Sequence, residues 1–269
     1  MAGTIEADIV YFRPPAPLPP EARPDFESLP LKPERMAVRD MRGRAGAFSL
    51  DEQGFVLAQA PTAVRDFHDA EEVERVYGAE ACALIRRVTG CAAAAVSSRG
   101  VVRVSRRAAV RPPGATHTGD FAHADYSLSS AESFLRRALP PEEAEARLKK
   151  RWAMFNVWRA FSPPPQDFPL ALCDCRTVKP ADIQHCILTL PLPGGPITWE
   201  NTAYKASPEH RWWYCSDMGR DEVLVFRSYD SRPEFPVHTP HTAFADPTCP
   251  ESAPPRASLE IRMLAFWDD

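Results

Sequence analysis

Short runs of alternating apolar and polar residues dominate the C-terminal half of the chain, and this is the pattern of half-buried β-strands. Proline, glycine, aspartate and serine separate the runs and supply the turns. Together with shorter runs nearer the N-terminus, the pattern predicts strands at residues 5–12, 36–40, 55–59, 92–96, 101–104, 152–161, 169–173, 185–190, 197–204, 211–215, 222–229, 237–241 and 259–267. This many short strands is typical of a jelly roll, a two-sheet barrel whose mouth can hold a ligand.

One amphipathic helix is predicted from about residue 71 to residue 88. Its apolar residues recur at three- and four-residue spacing, which places them on one face. Asp69 can cap its start together with Glu72, and Gly90 can end it in a left-handed conformation. Two shorter helices are predicted near the middle of the chain, entered at Ser129 and at Pro140.

Proline use changes the picture of the N-terminal part. The chain has 29 prolines in 269 residues, about twice the average usage. Residues 13–33 carry eight of them, which predicts an extended arm that wraps the surface. We therefore predict a mainly β fold with flanking α-helices, a double-stranded β-helix (jelly roll, cupin-like). We expect a single domain over 1–269, with the arm and short strands in 1–60 and the jelly-roll core with its helices in 61–269.

Charge and cysteine content favour a cytoplasmic protein that acts on a small molecule. A net charge of −4 predicts no nucleic-acid partner, and the absence of a basic run or a long apolar stretch predicts no membrane association and no secretory leader. The seven cysteines are scattered, so we expect them to be reduced and mostly buried. Cys173 and Cys175 form a Cys-x-Cys that is either packing or a soft-metal or redox pair.

His123 and Asp125 are the first candidates for chemistry. On a strand, residues two apart point to the same side, so both side chains can bind one metal ion, while the small Ala122 and Ala124 leave room for it. With the distant His241 they make the ligand set of a 2-His-1-carboxylate iron site. The alternative is a structural histidine that is hydrogen-bonded to Asp125. Spacing alone leaves both interpretations open.

Six ordered motifs add a family resemblance. They are Asn156-Val157-Trp158-Arg159, the stretch from His210 to Met218 with Arg-Trp-Trp-Tyr, Asp221-Glu222-Val223-Leu224, Tyr229-Asp230-Ser231, the stretch from Pro240 to Pro247 with Pro-His-Thr-Ala-Phe, and the stretch from Pro255 to Arg262. With them, residues 64–269 resemble the family of hydroxylases and desaturases that includes the cephamycin 7-alpha-methoxylation component, the aspergillic-acid-type hydroxylases and the fungal gibberellin desaturase.

The resemblance implies an oxygenase that depends on Fe(II), 2-oxoglutarate and O2. His123, Asp125 and His241 match the family's metal ligands, and 241 minus 123 leaves 118 residues for the intervening elements. His238 is a rival for the distal position, but His241 lies inside the Pro-His-x-Ala-Phe motif. The oxygenase would hydroxylate, desaturate or cyclise a small specialised metabolite or amino-acid-derived substrate and release succinate and CO2. A partner enzyme of the same pathway is compatible with the family, and no oligomeric state is implied.

An Arg-x-Ser after the distal histidine is how this superfamily holds the far carboxylate of 2-oxoglutarate. Arg256 and Ser258 fit this pattern, 15 residues after His241. A guanidinium can grip a carboxylate as a fork, and a hydroxyl two residues on reaches the same oxygen. Arg262 lies on the same strand face and is a second candidate. The alternative is that these arginines form structural bridges to nearby carboxylates such as Glu260.

Four further residues are candidates for substrate binding. Strand alternation puts Asn156 and Trp158 on one side and Arg159 on the other. Trp158 and Tyr214 could line the pocket, whereas Asn156 and Arg159 could orient polar groups of the substrate. The alternative for the aromatic residues is that they fill the barrel core.

Two other classes of protein remain compatible with the residues. A Zn or Mn jelly-roll hydrolase or isomerase could use the same three ligands without 2-oxoglutarate. A metal-free binding or scaffold protein could keep the fold without the chemistry. The Arg-x-Ser and the family motifs favour the oxygenase over both.

Overall fold

The computed structural model describes residues 3–19, 21–191, 195–234 and 238–268. Its strands are β1 (Thr4–Phe12), β2 (Leu31–Asp40), β3 (Phe55–Gln59), β4 (Ala93–Val104), β5 (Thr116–His117), β6 (His123–Ala124), β7 (Trp152–Ala160), β8 (Leu170–Cys173), β9 (Ile183–Leu190), β10 (Ile197–Tyr204), β11 (Trp212–Tyr214), β12 (Glu222–Asp230), β13 (His241–Ala243) and β14 (Ala257–Phe266). The prediction of a mainly β chain is confirmed. The prediction of a single domain over 1–269 stays a prediction.

The strands form two sheets that face each other. One sheet has the order β1-β2-β11-β8-β13-β6-β10-β9, and the other has the order β3-β12-β7-β14-β4-β5. Leu170 and Leu172 of the eight-stranded sheet share one apolar cluster with Trp158 and Phe226 of the six-stranded sheet. Burial of these inward side chains is the main force that holds the two sheets together.

The helical run covers the outer face of the six-stranded sheet. It consists of α1 (Ala70–Glu72), a π-helical turn (Val73–Tyr77) and α2 (Gly78–Thr89), so the predicted helix is confirmed. The side chain of Asp69 accepts hydrogen bonds from two backbone N–H groups of the first turn, and Gly90 ends the helix with φ 68°. Its apolar face packs on the outward-facing positions of β7, β12 and β14.

Two more helices follow β6, namely α3 (Leu128–Ala138) and α4 (Pro141–Arg147). The N-cap of α3 is Ser127, with Ser130 completing a capping box, and the predicted entry at Ser129 is wrong by two residues. None of the helices in the described ranges is both long enough and apolar enough to cross a membrane.

Three predicted strand boundaries are wrong for identifiable reasons. The strands predicted at 92–96 and 101–104 are one strand, because Gly100 lets β4 continue where a side chain would collide with Leu259 and Val73. β2 begins at Leu31, inside the predicted arm. It tolerates Pro33 because β11 pairs with β2 only at residues 38–40, so no described strand needs that N–H group.

The third wrong boundary is the strand predicted at 237–241. Residue 237 lies outside the described residues, and residues 238–240 are not in a strand. Pro240 has no N–H group to donate to a neighbouring strand, and β13 begins only at His241. The loop before His241 is instead anchored by Thr239, whose hydroxyl donates to the carbonyl of Gly54.

Gly54 has φ +91°, and a side chain at this position would overlap Thr239 Oγ1. Gly54→Ala should lower the free energy of unfolding by about 2–5 kcal/mol, combining left-handed backbone strain with overpacking. Gly43→Ala is the matched control, because Gly43 has φ +76° with open space around it, and it should cost only about 1–2 kcal/mol. Equal losses for the two variants in denaturant unfolding would contradict the steric argument.

Candidate metal centre

The pairing of β6 with β13 brings the two distant histidines together. His241 is the residue directly opposite His123, so both side chains point to the same side of the eight-stranded sheet. Their ring centroids are 4.4 Å apart. Asp125 follows β6 directly, and one ligand atom from each of the three residues lies within 4.8 Å of the other two. All three side chains are buried.

Hydrogen bonds fix which nitrogen of each histidine faces the shared space. His123 Nδ1 lies 2.7 Å from the carbonyl oxygen of Phe121, and His241 Nδ1 lies 3.1 Å from that of Thr239. A carbonyl oxygen can only accept, so each Nδ1 must carry the proton. Each Nε2 then presents a lone pair, as a metal-binding histidine requires.

Space beside His123 comes from Gly119 rather than from the alanines. Side chains alternate along a strand, so Ala122 and Ala124 point to the opposite face and pack in an apolar cluster with Tyr204 and other residues. The prediction that these alanines leave room for a metal is therefore wrong. A Cβ on Gly119 would lie 3.0 Å from His123 Cε1, so glycine is what permits the close approach.

The electrostatics of the site favour the metal-binding protonation states. Burial lowers the pKa of His123 to about 3, so its imidazole is neutral near neutral pH. Burial alone would raise the pKa of Asp125, but the guanidinium of Arg262 and the two imidazoles outweigh it and hold that pKa well below its usual range. Near neutral pH the site therefore offers the neutral imidazole of His123 and the ionised carboxylate of Asp125.

The buried histidines should make the free energy of unfolding depend on pH. Burial lowers the pKa of His123 to about 3 and that of His238 to about 4, so both take up a proton more readily when the chain is unfolded. Their stabilisation is complete above about pH 6.5 and is lost as the pH falls, by up to about 1.4 kcal/mol per pH unit for each histidine. Urea unfolding of the chelator-treated protein between pH 7.5 and pH 5 measures this slope. His123→Asn should reduce it, and a stability that is flat over this range would contradict the argument.

Two residues of the six-stranded sheet reach across to Asp125. Asn156 Nδ2 donates to Asp125 Oδ2 at 2.7 Å, and Arg262 Nη2 donates to Oδ1 at 2.7 Å. Arg262 also lies 3.0 Å from Glu260. Asn156 and Arg262 therefore both lie at the metal centre, and each contacts the carboxylate of Asp125 there.

Arg256 lies beside the histidines in a small cavity, and Ser258 follows it two residues on in β14. The cavity is lined by residues of both sheets and of the preceding loops: Arg103, Gly119, His123, Trp158, Leu170, His241, Ala243, Arg256 and Glu260. Arg256 is fully buried, and no described residue accepts a hydrogen bond from its guanidinium. Burial, reinforced by Arg103, lowers the pKa of Arg256 to about 9. The hydroxyl of Ser258 is buried without a partner as well.

The remaining substrate-binding candidates divide between the two faces of the sheets. Trp158 lines the cavity, and the guanidinium of Arg256 lies 5.3 Å from the centre of its ring. Arg159 points away, as strand alternation requires, and donates to Tyr77 Oη on the helix-covered face. Tyr214 packs edge-on against Phe244 in the outer cluster. The expectation that Arg159 and Tyr214 share a pocket with Asn156 does not hold in this arrangement.

Three contacts of the centre were not predicted. Phe26, in the proline-rich arm, lies edge-on to the ring of His123 at 5.9 Å and packs on Phe121. Gly119 and Arg103 also line the cavity. None of these residues belongs to a motif. The eight prolines around Phe26 indicated an extended arm, but the local sequence does not show which part of the sheet the arm covers.

The rival assignments for His238 and the cysteines are resolved by position. His238 is not part of the cluster that His123 and Asp125 form with His241. All seven cysteines are free, and the Cys173 side chain is buried in the outer apolar cluster. Burial raises the pKa of Cys173 and of Cys175 to about 12, so both are neutral thiols near neutral pH in the metal-free protein. The packing interpretation of the Cys-x-Cys is the one that fits.

Comparisons with known proteins agree with this geometry. The family model described as "Oxidoreductase/YMDC permease-like domain" matches residues 9–266. The chain is 32% identical to hydroxylase/desaturase efuI of Hormonema carpetanum over 87% of this chain and 84% of that protein. It is 29% identical to the Fe(II)/2-oxoglutarate-dependent dioxygenase nvfI of Aspergillus novofumigatus over 98% of this chain and 92% of that protein.

A solved structure supports the same conclusion. The iron and alpha-ketoglutarate-dependent endoperoxidase NvfI has the same fold with a TM-score of 0.84 and 25% identity, over 98% of both chains. The two facing sheets and the buried His-Asp-His cluster define a jelly-roll oxygenase of the non-haem type, and the predicted fold class is confirmed. The chain belongs to the hydroxylase/desaturase family.

Proposed function

We propose that this protein is an Fe(II)- and 2-oxoglutarate-dependent oxygenase that hydroxylates, desaturates or cyclises a small specialised metabolite or amino-acid-derived substrate. The products beside the altered substrate are succinate and CO2. The observation that carries the proposal is the buried cluster of His123, Asp125 and His241 beside buried Arg256, whose Nε has no hydrogen-bond partner among the described residues. The relatives support this function and give no support to a Zn or Mn hydrolase or isomerase.

The donor set fits Fe(II). Two imidazole nitrogens and one carboxylate oxygen on one side of an ion are the protein ligands of non-haem iron oxygenases, and the remaining positions stay free for other ligands. His123 and His241 would each bind through Nε2, because the Nδ1 proton of each is held by a backbone carbonyl. When bound, the iron supplies the oxidising chemistry in which O2 and 2-oxoglutarate are consumed and hydrogen is removed from a substrate carbon.

Arg256 and Ser258 fit the far carboxylate of 2-oxoglutarate. A buried guanidinium without a partner is costly, and a carboxylate that enters the cavity would supply both the charge and the hydrogen-bond acceptors that it lacks. The hydroxyl of Ser258 can donate to the same carboxylate. Trp158 and Leu170 line the cavity and exclude water from this charge pair.

The enzyme acts on a small molecule, and the enzyme is cytoplasmic. Neither nucleic acid nor a membrane is part of this proposal, since the net charge of −4 supplies no basic surface for either. A second enzyme of the same pathway could use the product. Phe26 of the N-terminal arm forms part of the wall beside His123.

An anaerobic titration tests the proposal. Addition of 2-oxoglutarate to the Fe(II)-loaded protein should produce a visible charge-transfer band that saturates at one equivalent, and admission of air should yield succinate. The Zn(II)-loaded protein is the control and should give neither signal. The absence of both the band and succinate in the Fe(II) protein would overturn the proposed function.

A further inference from the structure

The carboxylate of Asp125 is held from the opposite sheet. Asn156 in β7 and Arg262 in β14 are directly paired across the six-stranded sheet, so their side chains point to the same side. Both reach Asp125, which follows β6 in the eight-stranded sheet. The residue that would bind the metal from one sheet is therefore fixed by two residues of the other.

The two oxygens of Asp125 have different surroundings, although Arg262 contacts both of them. Arg262 Nη2 binds Oδ1 at 2.7 Å, and its Nε lies 3.3 Å from Oδ2. Oδ2 is the oxygen closest to His241, at 3.9 Å from Nε2. The guanidinium thus spans both oxygens, with its shorter contact on Oδ1, and fixes the carboxylate with Oδ2 toward His241.

A β-bulge fixes the orientation of Asn156. The pairing of β12 with β7 shifts between Arg227 and Tyr229, which leaves Ser228 as the extra residue. The hydroxyl of Ser228 donates to Asn156 Oδ1 at 2.5 Å. The amide must then present its NH2 group to Asp125, where it donates to Oδ2 at 2.7 Å.

Arg262 is held in place on its other side. Its Nη2 lies 3.0 Å from Glu260 Oε1, and its guanidinium lies 5.8 Å from the centre of the Tyr126 ring. Arg262 therefore bridges two buried carboxylates. This guanidinium is already paired with two carboxylates, whereas Nε of Arg256 has no hydrogen-bond partner among the described residues.

We propose that Arg262, together with the Ser228–Asn156 pair, is a positioning device that holds Asp125 as a one-oxygen ligand and keeps the metal site formed before the metal binds. The proposal rests on the iron site of the proposed function, and it assigns Arg262 to the metal ligand rather than to 2-oxoglutarate. Residues that orient metal ligands typically contribute 10- to 100-fold to metal affinity.

Three variants test the proposal on the full-length protein, with metal affinity measured by competition with a fluorescent chelator. Arg262→Lys keeps the charge beside Asp125 but loses the fork, and it should weaken Fe(II) and Co(II) binding about 10- to 100-fold. Ser228→Ala frees the Asn156 amide to turn and should weaken metal binding by a smaller factor. Arg256→Lys is the matched control, because it also keeps its charge and loses its fork, and it should leave metal affinity unchanged while weakening 2-oxoglutarate binding.

The absorption spectrum of the Co(II) protein reports the coordination directly. If Asp125 becomes a two-oxygen ligand in Arg262→Lys, the coordination number rises and the visible bands should weaken, an effect that loss of stability alone would not produce. Wild-type metal affinity and spectrum in Arg262→Lys, with weakened 2-oxoglutarate binding, would overturn the proposal and make Arg262 a cosubstrate residue. Failure of the wild-type protein to bind any metal would instead overturn the proposed function.

Discussion

Replacing His241 by alanine is expected to abolish 2-oxoglutarate turnover. Loss of a residue that merely orients a metal ligand costs 10- to 100-fold, so loss of a ligand itself should cost more than about 100-fold in succinate formation. The fold should persist, because His241 contributes one imidazole to a barrel whose apolar clusters lie mainly elsewhere. Anaerobic Fe(II) binding and succinate production measure the effect, and circular dichroism checks the fold.

His238→Ala is the matched control for this variant. His238 lies three residues before His241, in the loop that precedes β13, and it is outside the metal cluster. The control variant should bind Fe(II) and form the charge-transfer band with 2-oxoglutarate. If His238→Ala lost iron binding and His241→Ala kept it, the assignment of the distal ligand would be wrong.

Arg256→Met is expected to raise the KM for 2-oxoglutarate by roughly 10- to 150-fold, which corresponds to a charge-assisted hydrogen bond of about 1.5–3 kcal/mol. The value of kcat at saturating 2-oxoglutarate should change less, because the iron ligands are untouched. The metal-free variant should unfold at the same or a higher urea concentration than the parent, since an unpaired buried cation opposes folding.

Arg99→Gln provides the control for removal of a positive charge. Arg99 is exposed and pairs with Glu74 on the outer face of the six-stranded sheet. Its replacement should leave the KM for 2-oxoglutarate unchanged. An unchanged KM in Arg256→Met, or an equal rise in both variants, would contradict the role of Arg256.

The sequence predicted the features that repeat along a strand or a helix. Alternation placed Asn156 and Trp158 on one side of their strand and Arg159 on the other, and the structure has them on opposite faces. The caps of the first helix were predicted because Asp69 and Gly90 act on neighbouring backbone groups. These features depend on local geometry, which a single sequence contains.

Contacts between distant parts of the chain were not predicted. The sequence gives no register between the two sheets, so the contact of Arg262 with Asp125 could not be distinguished from a role in cosubstrate binding. The same limit applies to Phe26, whose arm crosses the sheet at His123. These contacts depend on how distant elements pack against each other, and residue spacing in the sequence does not specify that packing.

The most direct test of the account is to locate the iron. Crystals grown anaerobically with Fe(II) and 2-oxoglutarate should give one anomalous peak at the iron edge, bonded to Nε2 of His123, Nε2 of His241 and one oxygen of Asp125. The far carboxylate of 2-oxoglutarate should lie against Arg256. An iron peak elsewhere, or a structure in which His241 stands apart from the other two residues, would contradict the central claim.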